Sequence, residues 1–324
     1  MIPFWNDEPA LMDELHEVTE LIKQLVTTAN PYIRSYLIEV VRSQGKMLRP
    51  ALVLMSARLG KDVDRGDAIK QAALIEMIHL ASLVHDDIID GATTRRGRPT
   101  LNSQLGSRRA VIAGDYLLAR ALTLITDTDQ ELDPAAISHA LGRLCDSEIS
   151  QDSEEWDFSI SKTHYLRRIA GKTATLFALS GYSGALRGNC DPSVMNLMHQ
   201  IGYSIGMAFQ IKDDILDITG SKNDLGKAIG LDIRSGIATL PLICALEQDT
   251  DGKILKLLNK NHHIGKSKLK KVLRFIKESG GIDTSEQIAK QYFDKAFTSI
   301  GKIENREVQK SLRTMISRLD ARIS

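Results

Sequence analysis

Residues 66–90 are apolar on nearly every side of a helix, with Ala72, Ala73, Leu74, Ile75, Met77, Ile78, Leu80, Ala81, Leu83 and Val84 leaving no polar stripe. Such a helix has no face to offer water, so it is stable only when other helices surround it. The chain supplies those neighbours. Leu11, Leu15, Val18, Leu21, Ile22 and Leu25 recur at helical spacing across 10–28, and Pro50, a favoured first-turn residue, opens a segment at 50–59. Further helices are expected at 107–126, 134–153, 162–187, 191–217, 237–248, 253–260, 266–279, 283–299 and 304–322, separated by Gly and Asp/Asn/Ser clusters. The longest gap, 218–236, carries Gly220, Gly226, Gly230 and Gly236, and a long irregular stretch in such a chain usually has a functional reason. Strand-like alternation is scarce, and no Pro/Ser-rich linker or short repeat divides the sequence. The expectation is one all-α domain over 1–324, a bundle of about ten or more helices around a central cavity.

The all-apolar segment ends in Asp86-Asp87-Ile88-Ile89-Asp90, just before Gly91. The run at 191–217 ends in Asp213-Asp214-Ile215-Leu216-Asp217, shortly before Gly220. On a helix the first and last Asp of each run lie about 40° apart, and the middle one is offset by about 100°. Each run therefore aims three carboxylates into one region. Two carboxylates about 4 Å apart repel by roughly 4 kcal/mol at an effective dielectric of about 20, and the negative end of the helix dipole adds to the penalty. A hard divalent cation removes it, because Mg²⁺ combines one or two carboxylates with phosphate oxygens and water. A single acidic helix end is more often a solvated terminus. Two copies at identical spacing point instead to two walls of a Mg²⁺–diphosphate site. An EF-hand is excluded, since neither run has alternating ligands, a central Gly and a twelfth-position Glu.

Charge and cysteine usage narrow the remaining classes. Lys+Arg 42 against Asp+Glu 41 gives a net charge of +1, so nothing draws the whole chain to nucleic acid or an acidic membrane. Three cysteines, Cys145, Cys190 and Cys244, are odd in number and form no CxxC pair, which argues against a disulfide framework and for a reducing cytoplasmic setting. The N-terminal residues lack the basic and apolar regions of a signal peptide, and no run reaches the roughly 18 apolar residues of a transmembrane segment.

Basic residues cluster with Gly and Pro around the acidic runs, in Gly45-Lys46-Met47-Leu48-Arg49-Pro50, Thr94-Arg95-Arg96-Gly97-Arg98-Pro99-Thr100 and Gly171-Lys172-Thr173-Ala174. Singly each is ordinary surface charge. Grouped beside two metal-type motifs, Arg forks and Lys ammonium groups read as phosphate partners. Gly171-Lys172-Thr173 matches only the tail of a P-loop, without the upstream Gly and strand, so no nucleotide site is expected.

Taken together these segments resemble the trans-type (E) polyprenyl diphosphate synthases over nearly the whole chain. The likeness is carried by 45–50, Ile78-His79 through Asp90, Arg95-Arg96-Gly97 with Pro99-Thr100, Ala113-Gly114-Asp115-Tyr116-Leu117, Lys172-Thr173-Ala174 with Leu176-Phe177, Phe209-Gln210 through Asp217, Gly226-Lys227, and Asp232 through Thr239-Leu240-Pro241. Terpene cyclases share the first acidic motif, but a second run of aspartates favours the chain-elongating enzymes. The resemblance implies condensation of isopentenyl diphosphate with an allylic diphosphate such as farnesyl diphosphate. It implies that Asp86, Asp87, Asp90, Asp213 and, through water, Asp214 and Asp217 hold three Mg²⁺ ions on the allylic diphosphate. Arg95, Lys172 and Lys227 would add positive charge, with Thr173 and Gln210 lining the site. Lys46, Arg49, His79 and Arg96 would grip isopentenyl diphosphate. A homodimer is implied as well.

Two departures stand out. Ile237 occupies the place where many relatives carry Lys, and Ala228 replaces a frequent Pro after Lys227. Subunits of two-component hexaprenyl or heptaprenyl synthases tolerate variation here, which keeps open a heterodimer with a smaller subunit. Product length is read from the helix before the first motif, where Ala81 and Ser82 are small and Ile78 and Met77 lie a turn deeper. Small residues also allow close helix packing, but here they leave room for a hexaprenyl to decaprenyl tail, with geranylgeranyl diphosphate as the shorter alternative. Replacing Ser82 or Ala81 with Phe is expected to shorten the product, read by chromatography of the labelled polyprenol; an unchanged length would refute this pocket assignment.

Overall fold

In the computed structural model, which describes residues 3–43, 45–61, 63–125, 134–220, 229–258 and 263–321, the apolar segment forms one helix, α4 (Arg65–Ile89). The Asp64 carboxylate caps it by accepting from Asp67 N–H at 2.9 Å, the arrangement preferred at a helix start. Ala72–Ile75, Met77, Ile78 and Ala81 are all buried, as a helix without a polar stripe requires. Apart from two paired two-residue strands, β1 (Thr94–Arg95) and β2 (Arg98–Pro99), every regular element among the described residues is helical.

The chain divides into two compact units. The first comprises Met1–Ala136, Leu179–His199 and Asn305–Leu312. Here α4 packs against α1 (Pro9–Thr27), α3 (Leu48–Ala57), α5 (Leu101–Leu105) and α6 (Ser107–Thr123). Helix α2 (Pro31–Arg42) has no counterpart among the expected helices, although its start signals are present. Asn30 accepts from Tyr32 N–H at 3.0 Å and Pro31 occupies the first helical position. Pro50 lies in the first turn of α3 rather than at its opening residue, still where its missing N–H has no intrahelical partner.

The second unit comprises Ile137–Ala178, Gln200–Glu304 and Arg313–Ser324. Its core gathers Phe158, Tyr165, Ile211, Ile215, Ile233, Leu240, Val272 and Ile276. The helices contributing to this unit are α7 (Pro134–Ser153), α8 (Lys162–Ile169), α9 (Thr175–Arg187) and α10 (Pro192–Thr219), then α11 (Leu231–Arg234), α12 (Leu240–Leu246), α13 (Lys253–Leu258), α14 (Lys266–Glu278), α15 (Gly281–Ile300) and α16 (Arg306–Asp320); α7, α9, α10 and α16 also carry residues of the first unit. Among the described residues of the expected 218–236 gap, α10 continues to Thr219 and α11 forms a short helix, led by Gly230 in the left-handed region at φ 71°.

Close backbone approach fixes some small residues. A Cβ at Gly184 would lie 2.2 Å from the carbonyl oxygen of Val53, so α9 touches α3 through backbone within the first unit. Gly184→Ala is expected to cost about 1–3 kcal/mol, the usual range for overpacking, measured as a lower urea midpoint. An unchanged midpoint would mean that the two helices have room to separate.

Candidate active site

In the first unit, α4 stops where the acidic run ends. Asp90 N–H bonds to the Asp86 carbonyl at 2.8 Å, and Gly91, at φ 60°, turns the chain away. Asp86 is half-buried and Asp90 exposed one turn later, whereas Asp87 is buried. The Asp87 carboxylate accepts from Arg95 Nε at 2.8 Å. The middle aspartate is therefore engaged by a guanidinium, and the outer two carry the solvent-facing positions.

Arg95 is placed by the β1–β2 hairpin, in which it pairs with Arg98. The two residues between them, Arg96 and Gly97, both have positive φ (51° and 75°), as a tight two-residue hairpin demands. The Arg96 guanidinium donates to the Ser43 carbonyl at 3.0 Å and lies against Gly45, where a Cβ would come within 2.5 Å of it. Gly45 is thus the residue that lets Arg96 settle beside the 45–50 segment. Arg49, buried on α3, and Arg96 both act electrostatically on His79 and Glu76 of α4. The fold brings Arg49, His79 and Arg96 into one neighbourhood, with Lys46 just before α3.

Glu76 was not foreseen. It is buried at 4% exposure, and burial pushes its carboxyl up to about 7 against the pull of Arg49 and Arg96. A lone carboxylate inside an otherwise apolar helix was the available signal. Burial, followed by Arg49, Arg96 and Arg95, holds His79 well below the usual imidazole range. His79 is therefore neutral at pH 7 and offers one N–H donor rather than a charge. His85 turns toward α6, its Nε2 lying 3.3 Å from Asp115 Oδ1 and packing over Gly114.

In the second unit, the helix expected over 162–187 is broken by a π-turn at Ala170–Ala174. Such insertions commonly occur at functional sites because they re-aim side chains. Lys172, half-buried on that turn, donates to Glu148 at 2.9 Å and Gln151 at 3.2 Å. Thr173 donates to Gln210 at 2.8 Å, Gln210 donates to Asp214 at 2.8 Å, and Tyr165 Oη donates to the other Asp214 oxygen at 2.6 Å. Burial raises the Asp214 carboxyl to about 6, with Asp213 adding to the rise and the Tyr165 and Gln210 bonds opposing it. Asp217 caps α11, accepting from Leu231 N–H at 3.2 Å and Asp232 N–H at 3.3 Å. Asp213 remains half-buried.

The loop around Ile237 is held by other groups. Trp156 N–H donates to the Gly236 carbonyl at 2.8 Å, and the Arg168 guanidinium to the Ala238 carbonyl at 2.5 Å. Gly226, Lys227 and Ala228 lie outside the described residues. Of the chain-length residues, Met77, Ile78 and Ala81 are buried. Ser82 is half-buried, and its hydroxyl donates to the His79 carbonyl at 2.8 Å.

Among the described residues no three His, Cys, Asp or Glu side chains form a ready-made metal cage. The three carboxylates of each run are therefore not gathered into one group, contrary to the expectation from the sequence, because Asp87 turns to Arg95 and Asp214 to Tyr165 and Gln210. The aspartate oxygens are of the hard kind that Mg²⁺ takes together with phosphate and water, and Asp86, Asp90 and Asp213 keep partial or full exposure.

Residues 30–276 match the family model described as polyprenyl synthetase. The chain is 33% identical over 302 residues to heptaprenyl diphosphate synthase component 2 of Bacillus subtilis (strain 168), covering 93% of this chain and 86% of that relative. Among solved structures it superposes on heptaprenyl diphosphate synthase from Staphylococcus aureus with a TM-score of 0.92 at 28% identity, covering 97% and 99% of the two chains. Polyprenyl synthase from Caulobacter crescentus CB15, complexed with calcium and isoprenyl diphosphate, gives 0.92 at 28% identity, covering 100% and 98%.

The raised Glu76 carboxyl has a consequence for stability. Its folded value of about 7 exceeds the unfolded 4.5, so between them the folded state binds more protons and stability falls as pH rises. Glu76→Gln is expected to remove a decline of about 3 kcal/mol between pH 5 and pH 8, measured by urea unfolding at both pH values. Equal declines in the two proteins would show that Glu76 titrates normally.

Proposed function

The chain belongs to the polyprenyl synthetase family, and from that membership we propose that it condenses isopentenyl diphosphate with an allylic diphosphate to make an all-trans medium- or long-chain polyprenyl diphosphate. One arrangement, found twice, carries this reading. Each acidic run keeps its outer first aspartate partly exposed and buries its middle one against fixed partners: Asp87 on Arg95, Asp214 on Tyr165 and Gln210. Asp86, Asp90 and Asp213 would hold Mg²⁺ directly, with Asp87, Asp214 and Asp217 in support; three ions are proposed. When bound, Mg²⁺ supplies positive charge to the diphosphate leaving group.

The protein's own residues do the rest. Arg95 and Lys172 add cations held by the fold, which stabilise the developing charge without reorganising, and Lys227 adds a further positive charge. Thr173 and Gln210 line the allylic site. Lys46, Arg49 and Arg96 hold the diphosphate of isopentenyl diphosphate, and neutral His79 contributes a hydrogen bond. Held at contact distance, the isopentenyl double bond attacks the allylic carbon, and the proton then lost passes to the departed diphosphate. Small Ala81 and Ser82, with Ile78 and Met77 deeper, support a hexaprenyl to decaprenyl product suited to a quinone side chain.

The whole chain 1–324 is proposed to act as one catalytic domain in the cytoplasm; no described helix is long and apolar enough to cross a membrane. A homodimer is the primary assembly. The relative named as component 2 of a heptaprenyl synthase, together with Ile237 in place of Lys, supports a second reading as a heterodimer with a smaller subunit. Purified protein incubated with Mg²⁺, farnesyl diphosphate and labelled isopentenyl diphosphate should yield long-chain products that a chelator abolishes. Asp86→Ala or Asp213→Ala should lower kcat by about 10²–10³-fold. Activity only with an added subunit would establish the heteromer, products no longer than geranylgeranyl diphosphate would reassign the length, and no product under any of these conditions would overturn the reading.

A further inference from the structure

Trp5 is fully buried, although it is the fifth residue of the chain, in a stretch of the kind that usually frays. It sits on a single turn, Pro3–Trp5, tied down by Glu8 N–H to the Trp5 carbonyl at 2.9 Å. Glu8 is itself held by the Ser311 hydroxyl at 3.0 Å. From this anchored turn the Trp5 indole N–H donates to the Lys46 carbonyl at 2.7 Å. Phe4 stands edge-on to Trp5, their centroids 4.9 Å apart and the rings inclined by 75°. The Lys46 ammonium lies over the Phe4 ring, 4.9 Å from its centroid. Two consecutive aromatic residues therefore hold the backbone and the charged tip of one lysine.

We propose that Phe4 and Trp5 form an aromatic clamp that positions Lys46 for the diphosphate of isopentenyl diphosphate. The inference rests on the role given to Lys46 under the proposed function and adds positioning residues that no motif supplies. The local backbone needs such a restraint. Met47, the next residue, has φ 53°, a left-handed conformation that a side chain adopts only when its surroundings impose it. Its carbonyl then accepts from Ala51 N–H at 3.0 Å to start α3, the helix that carries Arg49. Fixing the Lys46 carbonyl thus fixes the entry to both cations.

The choice of an aromatic partner has a chemical reason. A carboxylate would orient the ammonium but compete with a diphosphate for its donors. A ring face attracts the cation through its quadrupole and leaves the charge intact. The ammonium has three N–H donors on a flexible stem, and contact with a ring face uses none of them as a hydrogen bond to an anion.

Titration calorimetry of the full chain with isopentenyl diphosphate, and separately with farnesyl diphosphate, tests the clamp without requiring turnover. Phe4→Leu removes the ring face while keeping apolar bulk. It is expected to weaken isopentenyl diphosphate binding about three- to tenfold, with farnesyl diphosphate binding changed by less than about twofold, and Phe4→Tyr should restore the wild-type value. Trp5→Phe, which removes only the N–H donor, should act in the same direction. Lys46→Ala should weaken isopentenyl diphosphate binding further, and adding Phe4→Leu to it should have no extra effect, since both changes break one interaction. If Lys46→Ala weakens binding but Phe4→Leu does not, or if the two effects add, the clamp is wrong and the role of Lys46 stands. If Phe4→Leu weakens both ligands alike, its role is merely structural and the clamp is again wrong. If Lys46→Ala leaves binding unchanged, the clamp and the assignment of Lys46 fail together.

Discussion

Like-charge repulsion among carboxylates at the negative end of a helix is the constraint around which each acidic run is organised. The fold manages it by treating the three aspartates of a run differently. The middle residue is withdrawn into the protein and given donors: Arg95 for Asp87, Tyr165 and Gln210 for Asp214. In the second run the last residue is also engaged, by the backbone N–H groups that begin α11. Asp86 and Asp90 of the first run and Asp213 of the second keep partial or full exposure. For the Mg²⁺ site proposed on them, metal affinity would be coupled to substrate, since Mg²⁺ is usually completed by phosphate and water.

The same economy of charge governs the basic side. Arg96 gives one donor to the Ser43 carbonyl and rests on Gly45, so backbone groups help to set its direction. His79 is kept neutral by burial and by the surrounding guanidiniums, which lets it stand among cations without adding to their repulsion. Glu76, deep in α4, is the counterweight in this group. Burial pushes its carboxyl up from the usual carboxylate range while Arg49 and Arg96 pull it down, so its charge is linked to theirs.

Much of this was legible in the sequence. The all-apolar run at 66–90 demanded a surrounded helix, and α4 spans Arg65–Ile89. The long helices over 10–28 and 266–279 agree with the structure to within a residue or two at each end, since their apolar residues recur at helical spacing, and the helix expected over 134–153 ends at Ser153. Helix α2 escaped notice because Tyr32, Ile33, Leu37, Val40 and Val41 are mixed with charges at its exposed face, and only Leu37 and Val41 are buried. The 94–100 hairpin escaped because two-residue strands carry no periodicity; only the Gly97 turn marks it. The break in 162–187 escaped because Ala-Gly-Lys-Thr-Ala reads as ordinary helix, and a π-turn is decided by what packs around it.

Residue identity and spacing by themselves fixed the helical class, the doubled acidic runs and the chemistry that hard oxygen donors beside Arg and Lys can support. These depend on local geometry, where a period of 3.6 residues determines which side chains share a face. Tertiary structure alone decided which aspartates are buried and which stay partly exposed, that burial keeps His79 neutral and raises the Glu76 carboxyl, and that Trp5 meets Lys46 across 41 positions with Phe4 under the same lysine. Those outcomes turn on burial and on partners distant in the chain, and both quantities arise only once the helices have packed.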